Sequence, residues 1–179
     1  APGSPALAKE VLGLLQTAGI DAVADDKRPL DHGAWVPLMH LFPDASVPVV
    51  QVALPVGWGP AEVYAMGVAL QGLRESGVLL VGSGSMTHNL GEFLGGAQAV
   101  TPYVTEFSRW IEAMIQNGDI AALLQYRELA PHALRAHPSD DHFLPLFFAL
   151  GAAGINARPQ YLSREVMYGM LAMDTFALN

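Results

Sequence analysis

Cysteine is absent from the 179 residues of this chain. Disulfide bonds, zinc-thiolate sites and cysteine nucleophiles are therefore excluded, and any bound metal must be held by histidine and carboxylate side chains. A chain without cysteine also suits a reducing compartment, so we expect a cytoplasmic protein.

Basic residues are scarce, since 9 Lys and Arg stand against 17 Asp and Glu and give a formal net charge of −8. No basic run supplies the positive surface that nucleic-acid binding requires, so we expect no nucleic-acid partner. Long apolar runs are missing too, because the stretch FLPLFFALGAAGI at 143–155 is too short to cross a bilayer. We therefore expect a soluble protein without a membrane partner.

The pattern of apolar residues predicts the fold class. Two segments rich in β-branched residues, 47–54 and 78–83, flank a segment with helical periodicity at 60–77. A strand, a helix and a strand in this order form a βαβ unit with parallel strands. We predict a single α/β domain over 1–179, with a mostly parallel central sheet and helices on both faces. Further helices are predicted after Ser4, after Thr101 and from Asp140, with short strands at 20–24 and 168–178.

Two histidines lie in loops that follow predicted strands. His88 and Asn89 end the stretch GSGSMTHN at 82–89, and His32 precedes a short helix. Ligands of open parallel sheets bind at the carboxyl ends of the strands, where such loops meet. The glycines would let the backbone approach a ligand closely, and Asn89 could orient the imidazole. The alternative is that both loops are ordinary turns.

A third histidine, His142, is predicted at the start of a helix beside Asp140 and Asp141. The helix dipole there favours the neutral ring that a metal requires, and a neighbouring carboxylate could be a ligand or accept the ring N–H. The alternative is a solvated surface histidine. We expect His132 and His137 to be exposed in the same way.

Ser83 and Ser85 near His88 raise the alternative of a serine hydrolase. The stretch GSGSM lacks the G-x-S-x-G pattern of a nucleophile elbow, so this alternative is disfavoured. The same glycines do not form a G-x-G-x-x-G dinucleotide-binding motif.

Five stretches together resemble a known family. They are APGSPALA at 1–8, DHGAW at 31–35, FPDASVPVVQVAL at 42–54, GSGSMTHNL at 82–90 and DHFLPLFFALGAA at 141–153. In order and spacing they are similar to the class III extradiol ring-cleavage dioxygenases, in the DOPA-dioxygenase-like branch of the LigB superfamily.

The resemblance implies an Fe(II) enzyme, sometimes recovered with zinc, that opens a catechol ring beside the diol with O₂. It implies that His142 is a metal ligand and that His88 is the acid/base residue, counted as a ligand when zinc is bound. It further implies that His32 lines the substrate pocket, and Asn89 would orient His88 beside the substrate.

One departure from the family bears on activity. The family carries two further metal-binding histidines in motifs upstream of the APGSP stretch, and this sequence does not contain them. We expect an N-terminally truncated domain; the alternatives are strands supplied by a partner chain or a non-catalytic relative. A zinc hydrolase built on the same histidines is the competing enzyme class. A homo-oligomer is compatible with the sequence.

Overall fold

The computed structural model describes residues 1–95 and 99–179. Its α-helices are α1 (Pro5–Thr17), α2 (His32–Leu41), α3 (Pro60–Leu70), α4 (Pro102–Asn117), α5 (Ile120–Leu124), α6 (Tyr126–Leu129), α7 (Ala133–Ala136) and α8 (Pro145–Ala153). Two 3₁₀ segments are Gln71–Ser76 and Leu90–Gly95, and the strands are β1 (Pro159–Ser163), β2 (Val166–Met167), β3 (Leu171–Ala172) and β4 (Thr175–Leu178). None of the helices in these ranges combines the length and the apolar character that crossing a membrane needs.

Local sequence signals determine the ends of the long helices. Ser4 caps α1, because its side-chain oxygen accepts a hydrogen bond from the backbone N–H of Leu7, and Pro5 takes the first helical position. α4 also begins at a proline and ends at Gly118, whose φ of 69° is a left-handed conformation that glycine adopts without strain. Both helices lie where the sequence predicts them.

The core is built on the close packing of α3 against α8. A Cβ atom at Gly67 would overlap the carbonyl oxygen of Phe148, and one at Gly151 would overlap that of Tyr64, so the two helices touch backbone to backbone. Beside them, a cluster of buried aromatic rings fills the space between α4, α6 and the start of α8. Its members are Phe107, Tyr126, Phe143 and Phe147.

The prediction of a parallel central sheet with helices on both faces is wrong for the described part of the chain. β1 pairs with β4 and β2 pairs with β3, and both pairs are antiparallel. The predicted strands at 47–54 and 78–83 have no ladder partner there; one isolated parallel bridge joins Gly3 to Val49. A strand exists only with a neighbour that accepts and donates its hydrogen bonds, which an apolar sequence does not provide by itself. The described fold is helix-rich, with two small antiparallel sheets.

Three other predicted elements also differ. Residues 20–24 form no strand, and the segment 168–178 divides into β3 and β4. The helix predicted from Asp140 begins at Pro145, because the residues before it form turns. The hydroxyl of Ser139 donates to the carboxylate of Asp141 within these turns and does not cap α8.

Candidate functional site

The imidazole rings of His88 and His142 lie face to face. Their centroids are 3.7 Å apart and their planes differ by 8°. His88 lies in the loop after the apolar segment 78–81, and His142 lies in the turn before α8. Both residues are partly exposed, so a small molecule can reach the pair. The structure therefore brings together two of the three histidines that the sequence singles out.

Glycines bring the histidine-bearing loop onto the start of α8. A Cβ atom at Gly82 would overlap the carbonyl oxygen of Pro145, and one at Gly84 would overlap that of His142. Only a residue without a Cβ atom allows this approach. The backbone N–H of Ser85 then donates to the carbonyl oxygen of His142 at 2.9 Å. The two glycines of the GSGS stretch thus allow two backbone segments to contact each other.

Further hydrogen bonds hold the same loop at Thr87 and at His88. The buried Oγ1 of Thr87 donates to the carbonyl oxygen of Met170 and accepts from the N–H of Ala172, both at 2.8 Å. The N–H of His88 itself donates to the carbonyl oxygen of Ala136 at 2.8 Å. Because the loop is held at both Thr87 and His88, the backbone of His88 has a defined position.

A carboxylate lies against the second ring of the pair. Oδ2 of Asp141 is 3.0 Å from Nδ1 of His142, close enough for an ion pair when the imidazole is protonated. The hydroxyl of Ser139 donates to Oδ1 of the same carboxylate at 2.7 Å. This hydrogen bond, and to a smaller extent His142, lowers the pKa of Asp141 below its ordinary value, so the carboxylate is ionised at neutral pH.

The local environment favours the neutral form of His88. Partial burial lowers the pKa of His88 below its ordinary value, and the neighbouring His142 lowers it further, while Asp141 opposes the change. A neutral imidazole has one ring nitrogen free to accept a proton. His88 can therefore act as a proton acceptor near neutral pH.

The remaining predicted site residues, His32 and Asn89, border the pair. His32 is exposed at the first position of α2, and a Cβ atom at Gly33 would lie 3.9 Å from Oγ of Ser83, so this helix end adjoins the histidine-bearing loop. Asn89 donates from Nδ2 to the carbonyl oxygen of Arg135 at 2.8 Å, which fastens the loop. Among the described residues, no hydrogen bond or ring stacking joins His32 to the pair. The substrate roles of both residues stay predictions.

His137 is a further histidine beside the pair that sequence reasoning missed. It is fully buried, not exposed as predicted, and its ring packs on Phe143 with centroids 4.6 Å apart. Nε2 lies 2.9 Å from the carbonyl oxygen of Met86; because a carbonyl only accepts, Nε2 carries the proton. Burial lowers the pKa of His137 to about 4, so the ring is neutral at neutral pH. No helical periodicity in the sequence indicates this burial, because His137 directly follows α7, which is only four residues long.

The residues that the structure describes do not by themselves form a metal site. No three His, Asp or Glu side chains in these ranges are grouped so that they could hold a metal ion. The nitrogen lone pairs of imidazole lie in the ring plane, so two parallel stacked rings do not direct them at one shared ion. As placed, His88 and His142 do not fit Fe(II) or zinc, and their assignment as metal ligands stays a prediction.

Comparison with known proteins identifies the family of this chain. A family model described as LigB, the catalytic LigB subunit of aromatic ring-opening dioxygenase, matches residues 1–173. The chain belongs to this family, and the resemblance to its DOPA-dioxygenase-like branch is confirmed by individual relatives.

The 4,5-DOPA dioxygenase extradiol of Beta vulgaris is 38% identical over 177 residues, which are 98% of this chain and 66% of that protein. The 4,5-DOPA dioxygenase extradiol of Escherichia coli (strain K12) is 35% identical over 157 residues, which are 85% of this chain and 57% of that protein. The crystal structure of an uncharacterized protein from Escherichia coli K12 superimposes with a TM-score of 0.86 at 31% identity, covering 98% of this chain and 73% of that one. The chain thus spans less than two thirds of the length of these two curated relatives.

Proposed function

We propose that this chain forms part of an extradiol dioxygenase that opens the ring of a DOPA-like catechol with O₂. In this reaction the carbon–carbon bond beside the diol breaks, and both oxygen atoms enter the ring-opened product. The observation that carries the proposal is the stacked pair of His88 and His142 beside the GSGS stretch, in a chain that matches the LigB family over residues 1–173. The proposal includes an Fe(II) ion, for which the described residues do not complete a set of ligands.

In this proposal His88 is the acid/base residue. A catechol must lose phenolic protons before its ring can be oxidised, and a nearby neutral imidazole can accept one of them. His88 meets the requirements, because it is partly exposed, its backbone is fixed by Ala136, and its environment keeps the ring neutral. The same nitrogen can return the proton to a product oxygen.

His32 and Asn89 complete the proposed substrate site. The exposed imidazole of His32, next to the loop that carries Ser83, is available to hydrogen bond to a substrate oxygen. Asn89 acts by holding the backbone next to His88, since its amide donates to the carbonyl oxygen of Arg135.

The test measures oxygen uptake. A full-length protein that contains this chain, supplied with Fe(II) under anaerobic conditions and then mixed with DOPA and O₂, should consume one O₂ for each catechol and form a yellow ring-opened semialdehyde. His88→Ala should lower the turnover number by about 10²–10⁴, the usual contribution of general acid–base catalysis. His40→Ala is the matched control, because His40 is an exposed histidine of α2 and should leave turnover unchanged.

Two results would contradict the proposal. Absence of oxygen uptake by the folded, Fe(II)-supplied full-length protein would show that it does not catalyse the reaction. Unchanged turnover in His88→Ala would show that another group handles the proton.

A further inference from the structure

One buried side chain contacts both segments that carry the stacked histidines. Nε2 of His137 donates to the carbonyl oxygen of Met86 at 2.9 Å, two residues before His88. The face of the same ring packs on Phe143, the residue after His142, with centroids 4.6 Å apart and planes inclined by 33°. The two histidine-bearing segments are therefore linked through His137.

The backbone next to His137 adds a second link to the same loop. The carbonyl oxygen of Ala136 accepts from the N–H of His88, so consecutive residues hold Met86 through a side chain and His88 through a peptide group. Two attachment points two residues apart fix both the position and the direction of the segment between them. The direction in which the His88 side chain leaves the backbone is thereby set.

An apolar side chain could fill this position at a lower free-energy cost than a histidine. The ring of His137 is surrounded by Phe107 and Phe143, and its Nδ1 has no hydrogen-bond partner among the described residues. Burying a polar atom without a partner costs free energy. What histidine supplies, and phenylalanine would not, is the donor to the Met86 carbonyl oxygen.

We infer that His137 is a positioning residue, which holds the ring of His88 against that of His142 through its hydrogen bond to Met86 and its packing on Phe143. The importance of this position for catalysis rests on the proposed role of His88. The link between the two histidine-bearing segments is a property of the chain itself and requires neither metal nor substrate.

The test uses histidine NMR of the whole chain at neutral pH. In the unmodified chain, nitrogen-15 spectra should show His137 as the neutral tautomer with its proton on Nε2. Because the stacked centroids are 3.7 Å apart, ring protons of His88 and His142 should show a nuclear Overhauser effect. His137→Phe should abolish this effect, whereas His137→Gln should keep it, since a glutamine amide can donate at the same place.

Tyr126→Phe is the matched control. Tyr126 belongs to the same aromatic cluster, with its ring 4.7 Å from that of Phe143, but it does not bond to Met86. This variant should keep the Overhauser effect between His88 and His142 at full strength.

Three results would overturn the inference. They are an Overhauser effect that persists in folded His137→Phe, its loss in His137→Gln as well, and a proton on Nδ1 of His137 in the unmodified chain. The last measurement decides the question even if His137→Phe does not fold. Lack of dioxygenase activity would leave all three measurements unaffected, so failure of the proposed function and failure of this inference are distinguishable.

Discussion

Protonation of His137 should destabilise the folded chain in mild acid. An exposed histidine has a pKa of about 6.5, which applies to the unfolded chain, whereas burial lowers the pKa of His137 in the fold to about 4. The fold therefore binds this proton less tightly than the unfolded chain does. The corresponding stability is fully present above the unfolded pKa and is lost as the pH falls toward the folded pKa.

The size of the effect follows from the difference between the two pKa values. Each pKa unit corresponds to about 1.4 kcal/mol, so a lowering of roughly 2.5 units amounts to about 3 kcal/mol. We expect the free energy of unfolding to fall by about 3 kcal/mol more in the unmodified chain than in His137→Phe between about pH 7 and pH 4. Urea unfolding followed by circular dichroism at several pH values measures this difference.

The comparison with His137→Phe isolates this histidine. Carboxylates such as Asp141, Glu92 and Glu112, whose pKa values hydrogen bonds lower, also destabilise the fold when they are protonated. They are present in both proteins, so their contribution cancels in the difference. Parallel stability curves for the two proteins over this pH range would refute the reasoning, because they would mean that His137 is accessible to protons in the fold.

Three further outcomes follow from other contacts. Thr87→Val removes the hydroxyl that pairs with two backbone groups, so we expect a loss of about 3 kcal/mol in urea unfolding, and a loss below about 1 kcal/mol would contradict the pairing. Gly151→Ala places a methyl group against a carbonyl oxygen of α3 and should cost at least about 1–3 kcal/mol, whereas Gly72→Ala, where a Cβ atom meets nothing within 4 Å, should not. Arg164→Met should raise the pKa of Glu112 toward its ordinary value, because the hydrogen bonds from Arg164 lower it; an unchanged carboxyl titration by NMR would contradict this.

The parts of the fold that depend on local signals are predictable from the sequence. α1 begins after its cap Ser4, and α4 begins at Pro102 and ends before Gly118, since these signals act between residues close together in the chain. The parallel sheet, in contrast, could not be predicted correctly from local signals. β-branched residues at 47–54 and 78–83 indicate extended, buried segments, but pairing depends on a neighbour that local sequence does not specify.

For the candidate site as well, the sequence predicts some features and not others. The resemblance to the family implies that His88 and His142 share one site, and the structure stacks their rings. The burial of His137 depends on contacts with Phe107 of α4 and with Met86, both distant in sequence, so the residues next to His137 do not predict it. For His32, the geometry shows that its helix end lies next to the histidine-bearing loop.

The apolar segment 78–83, which has no ladder partner in the described part of the structure, affects how this chain associates with other molecules. In the described part of the structure, backbone donors and acceptors at 79–83 point to no neighbouring strand, and the side chains of Leu79 and Val81 are 66% and 47% exposed. Such an edge is a template on which a foreign extended peptide can align and add itself. The purified chain should therefore self-associate through this edge at high concentration. A charged residue in place of Leu79 should suppress that self-association.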